Sequence, residues 1–177
     1  MDPWLAKAVV LLGTIGIVAI RAPHGRRSLS AEVVKGRKGR IEIALLRLAW
    51  VGFFVPLVWV ATPPLALADH PLRPLPFFAG VPALAAGLWL LHRPHRDRAT
   101  HGVYRRVRHP MYTALLRYSM GQALAVPNGL AGPSYGVAFA LPFAFRVGPE
   151  ERMMLAEFGE GYAAYMARTK RLVPGVW

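Results

Sequence analysis

Residues 43–62, IALLRLAWVGFFVPLVWVAT, form an apolar block whose single charge, Arg47, stands near its start. Some 20 residues of α-helix rise about 30 Å, the thickness of the hydrocarbon core of a bilayer. A run of that length reads as a membrane span, with Arg47 close enough to its end to snorkel. Working outward, four more segments qualify: residues 4–20, 75–91, 111–126 and 135–147, the last two short and interrupted by Gly or Pro. Apolar residues make up 54% of the 177, and they are gathered into these blocks rather than scattered. The expected fold is all-α, a polytopic membrane helix bundle with about five transmembrane helices and a C-terminal amphipathic cytoplasmic helix. No internal repeat or long polar linker divides it, so residues 1–177 read as a single integral membrane domain.

The connectors alternate in charge. Residues 21–42 carry seven Lys/Arg, 92–109 six and 146–177 five, together 18 of the chain's 22 cations. The intervening turns, 63–74 and 127–134, carry only Arg73. The positive-inside rule then places the basic connectors in the cytoplasm, with the N-terminus out and the C-terminus in. The first run opens Met1-Asp2-Pro3-Trp4, without the basic start and cleavage site of a signal peptide, and reads as a retained span. A net charge of +13 points to anionic headgroups of the lipid bilayer rather than to nucleic acid, because a nucleic-acid module does not carry several helix-length apolar runs. Cations that are mostly Arg, with abundant Ala, Gly and Pro, associate with GC-rich bacterial genomes, so the expected location is a bacterial inner membrane. Residues 28–40 read either as a short interfacial element or as a basic loop.

Several chemistries are excluded. The chain has no Cys, hence no thiolate nucleophile and no Cys-ligated metal. His92, His95, His101 and His109 follow no standard zinc spacing, and no metal site is expected. Nothing resembles a P-loop, a Gly-rich dinucleotide fingerprint or a nucleophile elbow. What remains is concentrated in three places. Residues 100–112 read THGVYRRVRHPMY. Pro110 there suits the opening turn of a helix, which leaves backbone donors and a positive helix end near His109; an ordinary basic anchor with interfacial Tyr accounts for the same composition. Residues 146–151 read RVGPEE, two carboxylates beside a membrane segment, which serve either a helix dipole with an Arg146–Glu150 pair or a reaction. Arg117 lies seven residues past Pro110, about two turns inside the fourth span, where a buried cation binds a carboxylate or phosphate unless it snorkels. Farther on, Glu151, Met154, Leu155, Phe158, Tyr162, Tyr165 and Met166 recur at three-to-four spacing, one face of a helix that Pro149 is expected to start and that lies on the bilayer or caps the bundle.

Taken in order, Gly102-Val103-Tyr104, Arg108-His109-Pro110-Met111-Tyr112, Arg146 with Glu150-Glu151, Phe158-Gly159, Tyr162, Tyr165 and Arg171-Leu172-Val173-Pro174 resemble the integral membrane methyltransferases that group isoprenylcysteine carboxyl methyltransferases with phospholipid N-methyltransferases. The first three spans match that family only in hydropathy. Ala114 stands where many relatives have Gly, Val103 stands where Pro is common, and the connector before the motif is short. The resemblance implies an enzyme that uses S-adenosylmethionine, with the cofactor-site half at residues 100–174 and an acceptor entering laterally from the lipid. Carried over position by position, it implies cofactor contacts at Gly102, Tyr104, Arg108, His109, Tyr112, Glu150 and Glu151.

Methyl transfer is an in-line displacement, for which a protein mainly holds two partners dry and aligned. An amine acceptor also has to lose a proton, to Glu150, Glu151, His109 or Tyr112; a carboxylate acceptor needs an orienting Arg instead. The expected catalytic set is Glu150, Arg146 and His109, with Arg117 and Arg146 as substrate-binding cations. The expected activity is methylation of a membrane lipid, phosphatidylethanolamine first. Isoprenylcysteine-type carboxyl methylation, or methylation of a small molecule, is the alternative. A nicotinamide-dependent reductase of sterol-reductase type and a non-catalytic membrane protein are further alternatives.

Overall fold

The structure is a computed structural model that describes residues 2–30, 40–93 and 102–173; residues 31–39, His95, His101 and Pro174 lie outside them. Five helices follow one another: α1 (Pro3–Ser30), α2 (Arg40–Ala61), α3 (Pro74–His92), α4 (Pro110–Ala125) and α5 (Ala131–Arg168). Short 3-10 turns at Pro63–Ala68 and Gly102–Arg105 precede α3 and α4. Among the described residues, Pro3–Ala22, Ile43–Ala61 and Pro74–His92 are long and apolar enough to cross a membrane. This is an all-helical membrane bundle. Large apolar side chains such as Leu12, Ile15, Trp50, Val51 and Phe78 face outward, as lipid-facing positions require.

Three differences from the sequence expectation have physical causes. First, α1 continues past residue 20 to Ser30, because apolarity ends at a membrane edge whereas a helix is held by its own hydrogen bonds and can run on. Second, the fifth span runs on through Pro149 into the amphipathic segment, so Pro149 does not start a new helix, and α5 is two helices joined at a kink farther on. A proline removes one backbone donor and the helix continues around Pro142 and Pro149; the break comes at Gly159, whose φ of 51° and ψ of −131° leave helical space. Third, Arg117 is exposed on the outer face of α4 beside Leu116 and Met120, not buried.

The closest packing joins α3 to α4, and glycines make it possible. A Cβ on Gly80 would lie 2.7 Å from the Gly121 carbonyl oxygen, and one on Gly87 would lie 2.7 Å from the Tyr118 nitrogen. The two backbones therefore touch directly, the small-residue contact that substitutes for hydrophobic driving force inside lipid. Gly52 does the same for α2 against α5, where Ser134 donates to its carbonyl at 3.2 Å. The middle of the core holds Ile17, Leu84, Leu91, Leu115, Tyr118 and Tyr135.

At the end where α4 gives way to α5, buried Asn128 ties the connectors together. Its amide donates to the Leu65 carbonyl at 2.7 Å and to Asp69 Oδ1 at 2.6 Å, and its oxygen accepts from the Leu130 and Ala131 amides at 3.0 and 2.7 Å. Asp69 also accepts from Trp59 Nε1 at 2.7 Å. With that end closed, the opposite end, where α4 begins, is left to carry the motif residues.

Candidate active site

The site begins with the connector into α4. Gly102, with φ of 61°, opens the 3-10 turn Gly102–Arg105, a conformation that favours glycine. His109 then caps α4 with Pro110 in the first turn. Beside this connector runs the C-terminal strap, residues 169–173. Val107 and Lys170 form a parallel bridge, the Arg108 amide donates to the Lys170 carbonyl at 2.7 Å, and the His109 amide donates to that of Arg171 at 3.1 Å. The Thr113 hydroxyl donates to the Leu172 carbonyl at 2.9 Å. Connector, strap and the middle of α5 thus meet at one end of the bundle.

Glu151 is the hub, only 3% exposed. Its Oε1 accepts from Arg108 Nε at 3.0 Å and faces His109 Nε2 at 3.3 Å; its Oε2 accepts from Arg171 Nη2 at 2.7 Å and Nε at 3.1 Å. Arg108 Nη1 also donates to the Met166 carbonyl at 2.9 Å and to that of Thr169. Burial alone raises the pKa of the Glu151 carboxyl. The hydrogen bonds from Arg171 and His109, and the charge and hydrogen bond of Arg108, outweigh burial and hold it below its ordinary value.

Glu150 has a different setting. Adjacent residues on a helix point about 100° apart, and this carboxylate is partly open, its side chain 28% exposed. Oε1 accepts from the Tyr112 hydroxyl at 2.8 Å and from Arg146 Nε at 3.3 Å, while Oε2 stands 4.0 Å from His109 Nδ1. His109 therefore lies between the two carboxylates. The Tyr112 ring stands 5.1 Å from Phe143, 5.8 Å from Phe139 and 5.6 Å from His109, so an aromatic wall runs inward from the carboxylate. On the outer side the Tyr165 hydroxyl donates to the Tyr104 carbonyl at 2.7 Å, and its ring lies 5.8 Å from that of Tyr162. Burial, and to a lesser degree the neighbouring Tyr162, pushes the Tyr165 phenol up to about 12.

Of the residues singled out from sequence, Arg108, His109, Tyr112, Arg146, Glu150 and Glu151 form one connected network. Tyr104 joins its rim through its carbonyl, and Gly102 heads the turn behind it. Arg117 does not join; it points outward from α4. The residue that sequence reasoning left without a role is Arg171, together with the buried Thr169 whose carbonyl Arg108 uses. Their signal lay in the closing Arg-Leu-Val-Pro stretch, which has no helical periodicity to mark its facing side.

The arrangement can do three things chemically. A partly open carboxylate beside aromatic faces favours a cationic or sulfonium group. Arg146 beside it offers a planar donor to a carboxylate or phosphate. Phe139, Phe143 and Tyr112 set an apolar wall beside the Glu150 carboxylate.

No family model matches the chain. It is 36% identical over 75 residues to the protein-S-isoprenylcysteine O-methyltransferase of Tribolium castaneum, a stretch covering 42% of this chain and 27% of that protein. It is 33% identical over 85 residues to protein-S-isoprenylcysteine O-methyltransferase A of Arabidopsis thaliana, covering 48% and 43%. The chain thus matches less than half the length of these two relatives. With the probable protein-S-isoprenylcysteine O-methyltransferase of Oryza sativa subsp. indica the identity is 25% over 187 residues, covering 97% of this chain and 95% of that protein. The chain is thus similar, nearly end to end at lower identity and over shorter stretches at higher identity, to proteins named as protein-S-isoprenylcysteine O-methyltransferases.

Proposed function

We propose that the protein is an S-adenosylmethionine-dependent methyltransferase that methylates the carboxylate of a membrane-borne, isoprenylcysteine-like acceptor. The observation that carries this reading is the cluster of His109, Tyr112, Arg146 and Glu150 at one end of an apolar bundle, with Glu150 and Arg146 partly exposed. The residues present fit the methyl donor: its sulfonium suits the Glu150 carboxylate and the Tyr112 and His109 rings, and its amino acid head needs both an acid and a cation. When bound, it supplies an electrophilic methyl group. The chain's own work is to bind, orient and exclude water.

Within the site the two glutamates divide the labour. Glu151 stands behind, both oxygens engaged, and fixes Arg108 and His109. Glu150, Tyr112 and His109 form the face toward the donor, with Tyr104 at its rim and Gly102 shaping the turn. Arg146, 37% exposed, turns its guanidinium from Glu150 toward an incoming carboxylate and so aligns it. A carboxylate acceptor needs no base, which suits a site whose carboxylates are already tied to cations. Arg117, outward on α4 among apolar side chains, meets the anionic part of an acceptor or headgroup at the lipid boundary.

The names of the relatives shift the acceptor. Phosphatidylethanolamine was the first expectation from sequence; the relatives are named for isoprenylcysteine, and the carboxyl reading takes precedence. They also leave the nicotinamide-dependent reductase without support. The basic connectors support a site end that faces the cytoplasm, with α4 and the first part of α5 completing five spans of one domain in a bacterial inner membrane.

Purified protein in lipid nanodiscs, given S-adenosylmethionine with a labelled methyl group and a short S-farnesylcysteine, is expected to form a base-labile methyl ester. Label appearing instead in phosphatidylethanolamine, as base-stable N-methyl groups, would replace the acceptor and keep the activity. No binding of S-adenosylhomocysteine at all would overturn the methyltransferase reading.

A further inference from the structure

The contacts of the C-terminal strap converge on the residues that form the site, with Leu172 packed beside Tyr112. Its backbone pairs with the Arg108 and His109 amides, and its Arg171 side chain reaches Glu151. That guanidinium grips Glu151 as a fork, Nη2 to Oε2 at 2.7 Å and Nε to Oε2 and Oε1 at 3.1 and 3.2 Å. The 2.7 Å contact is shorter than those from Arg108 or His109, both of which fall on Oε1. A two-point grip on a carboxylate fixes its plane, which a single donor does not. Fixing that plane sets where Oε1 lies, and Oε1 is the atom that Arg108 and His109 share.

We propose that Arg171 is a positioning residue: from the strap it sets the orientation of the Glu151 carboxylate, and through it the His109 ring and the Arg108 guanidinium that form the back of the site, without itself touching donor or acceptor. Every charged group around Glu151 is consistent with that role. Arg108 and His109 reach it from the connector, Arg171 from the strap, and Glu150 and Tyr162 stand near it on α5. Burial works against ionisation of Glu151, and the Arg171 hydrogen bond is the first of the opposing causes. The Arg171 side chain is 35% exposed, so it can be replaced without leaving a buried charge of its own. A lysine there keeps the charge and loses the fork.

The binding half of the test rests on the proposed methyltransferase reading; the other half does not. Full-length protein in nanodiscs, labelled with carbon-13 at glutamate carboxyls, gives the Glu151 titration directly, assigned by the signal lost in Glu151→Gln. The same samples give S-adenosylhomocysteine affinity by calorimetry from neutral to mildly acidic pH. In Arg171→Gln the Glu151 titration is expected to move upward, and affinity to fall about tenfold, the loss growing toward acid. Arg171→Lys is expected to recover most of both, and, should the Gln variant not fold, to show the same shifts in smaller measure against wild type. In a Glu151→Gln background the Arg171 change is expected to add less than about threefold, since its target is gone. An unmoved Glu151 titration in Arg171→Gln, or in Arg171→Lys should the Gln variant not fold, overturns the proposal. So does an affinity that stays at the wild-type value, or one that falls equally at every pH with no rescue by Lys. If wild type binds no S-adenosylhomocysteine, the methyltransferase reading fails while the carboxyl titration still decides the role of Arg171.

Discussion

Replacing each of the two adjacent glutamates by alanine separates the buttress from the working face. Glu151 is 3% exposed and holds Arg108, whose side chain is 10% exposed. Removing one partner of a buried ion pair costs about 3–5 kcal/mol, because the other charge is left without compensation. Arg108 keeps the Met166 and Thr169 carbonyls, and Arg171, 35% exposed, relaxes into solvent, so the lower end applies, about 3 kcal/mol. For a chain of this size that lowers Tm by roughly 6–12 °C. Glu150→Ala breaks the Tyr112 hydrogen bond and a half-exposed pair with Arg146, together about 1 kcal/mol, or a few degrees. The order reverses for the donor: Glu150→Ala is expected to weaken S-adenosylhomocysteine binding with only that small loss in Tm. Thermal unfolding in mild detergent, followed by far-UV circular dichroism, together with calorimetry reads both quantities. The pH dependence has a defined sign. The Glu151 carboxyl is depressed in the folded state, so its contribution is full above its ordinary value of 4.5 and is lost as pH falls through the lower folded value. The gap between wild type and Glu151→Ala therefore closes on acidification below that point. Equal Tm losses for the two variants, or a larger one for Glu150→Ala, would refute the division of roles.

Two further perturbations test the scaffold. Gly121→Val places a side chain where Gly80 O lies 2.7 Å and Leu84 Cα 2.8 Å from the new Cβ, forcing α3 and α4 apart; a loss of about 1–3 kcal/mol or more is expected in unfolding, against no loss for Gly161→Ala, which meets open space. Asn128→Ala removes two donated and two accepted hydrogen bonds at a 1%-exposed position, an expected loss of about 2–4 kcal/mol, with the Leu130 and Ala131 amides becoming faster in hydrogen exchange.

The sequence by itself determined that this is a membrane helix bundle, because crossing lipid depends on the apolarity of about 20 consecutive residues, a local property. Pro110, which suits an opening turn, does stand in the first turn of α4. The sequence also gathered Arg108, His109, Tyr112, Arg146, Glu150 and Glu151 as site residues by their order and chemistry. Tertiary structure alone decided how each one is placed. Glu150 and Glu151 are chemically identical neighbours, and only the arrival of Arg108 and Arg171, 43 and 20 residues away in sequence, makes one a buried hub and leaves the other open. The continuity of α5 through Pro149 was likewise hidden, because a proline marks the loss of one donor and not whether packing on α2 and α4 compensates for it. Arg117 looked buried because its neighbours in sequence are apolar, whereas its direction on α4 is set by which face α3 and α5 occupy. Composition travels along the chain and can be read there; facing is fixed by partners far away in sequence, and it exists only once the helices have packed.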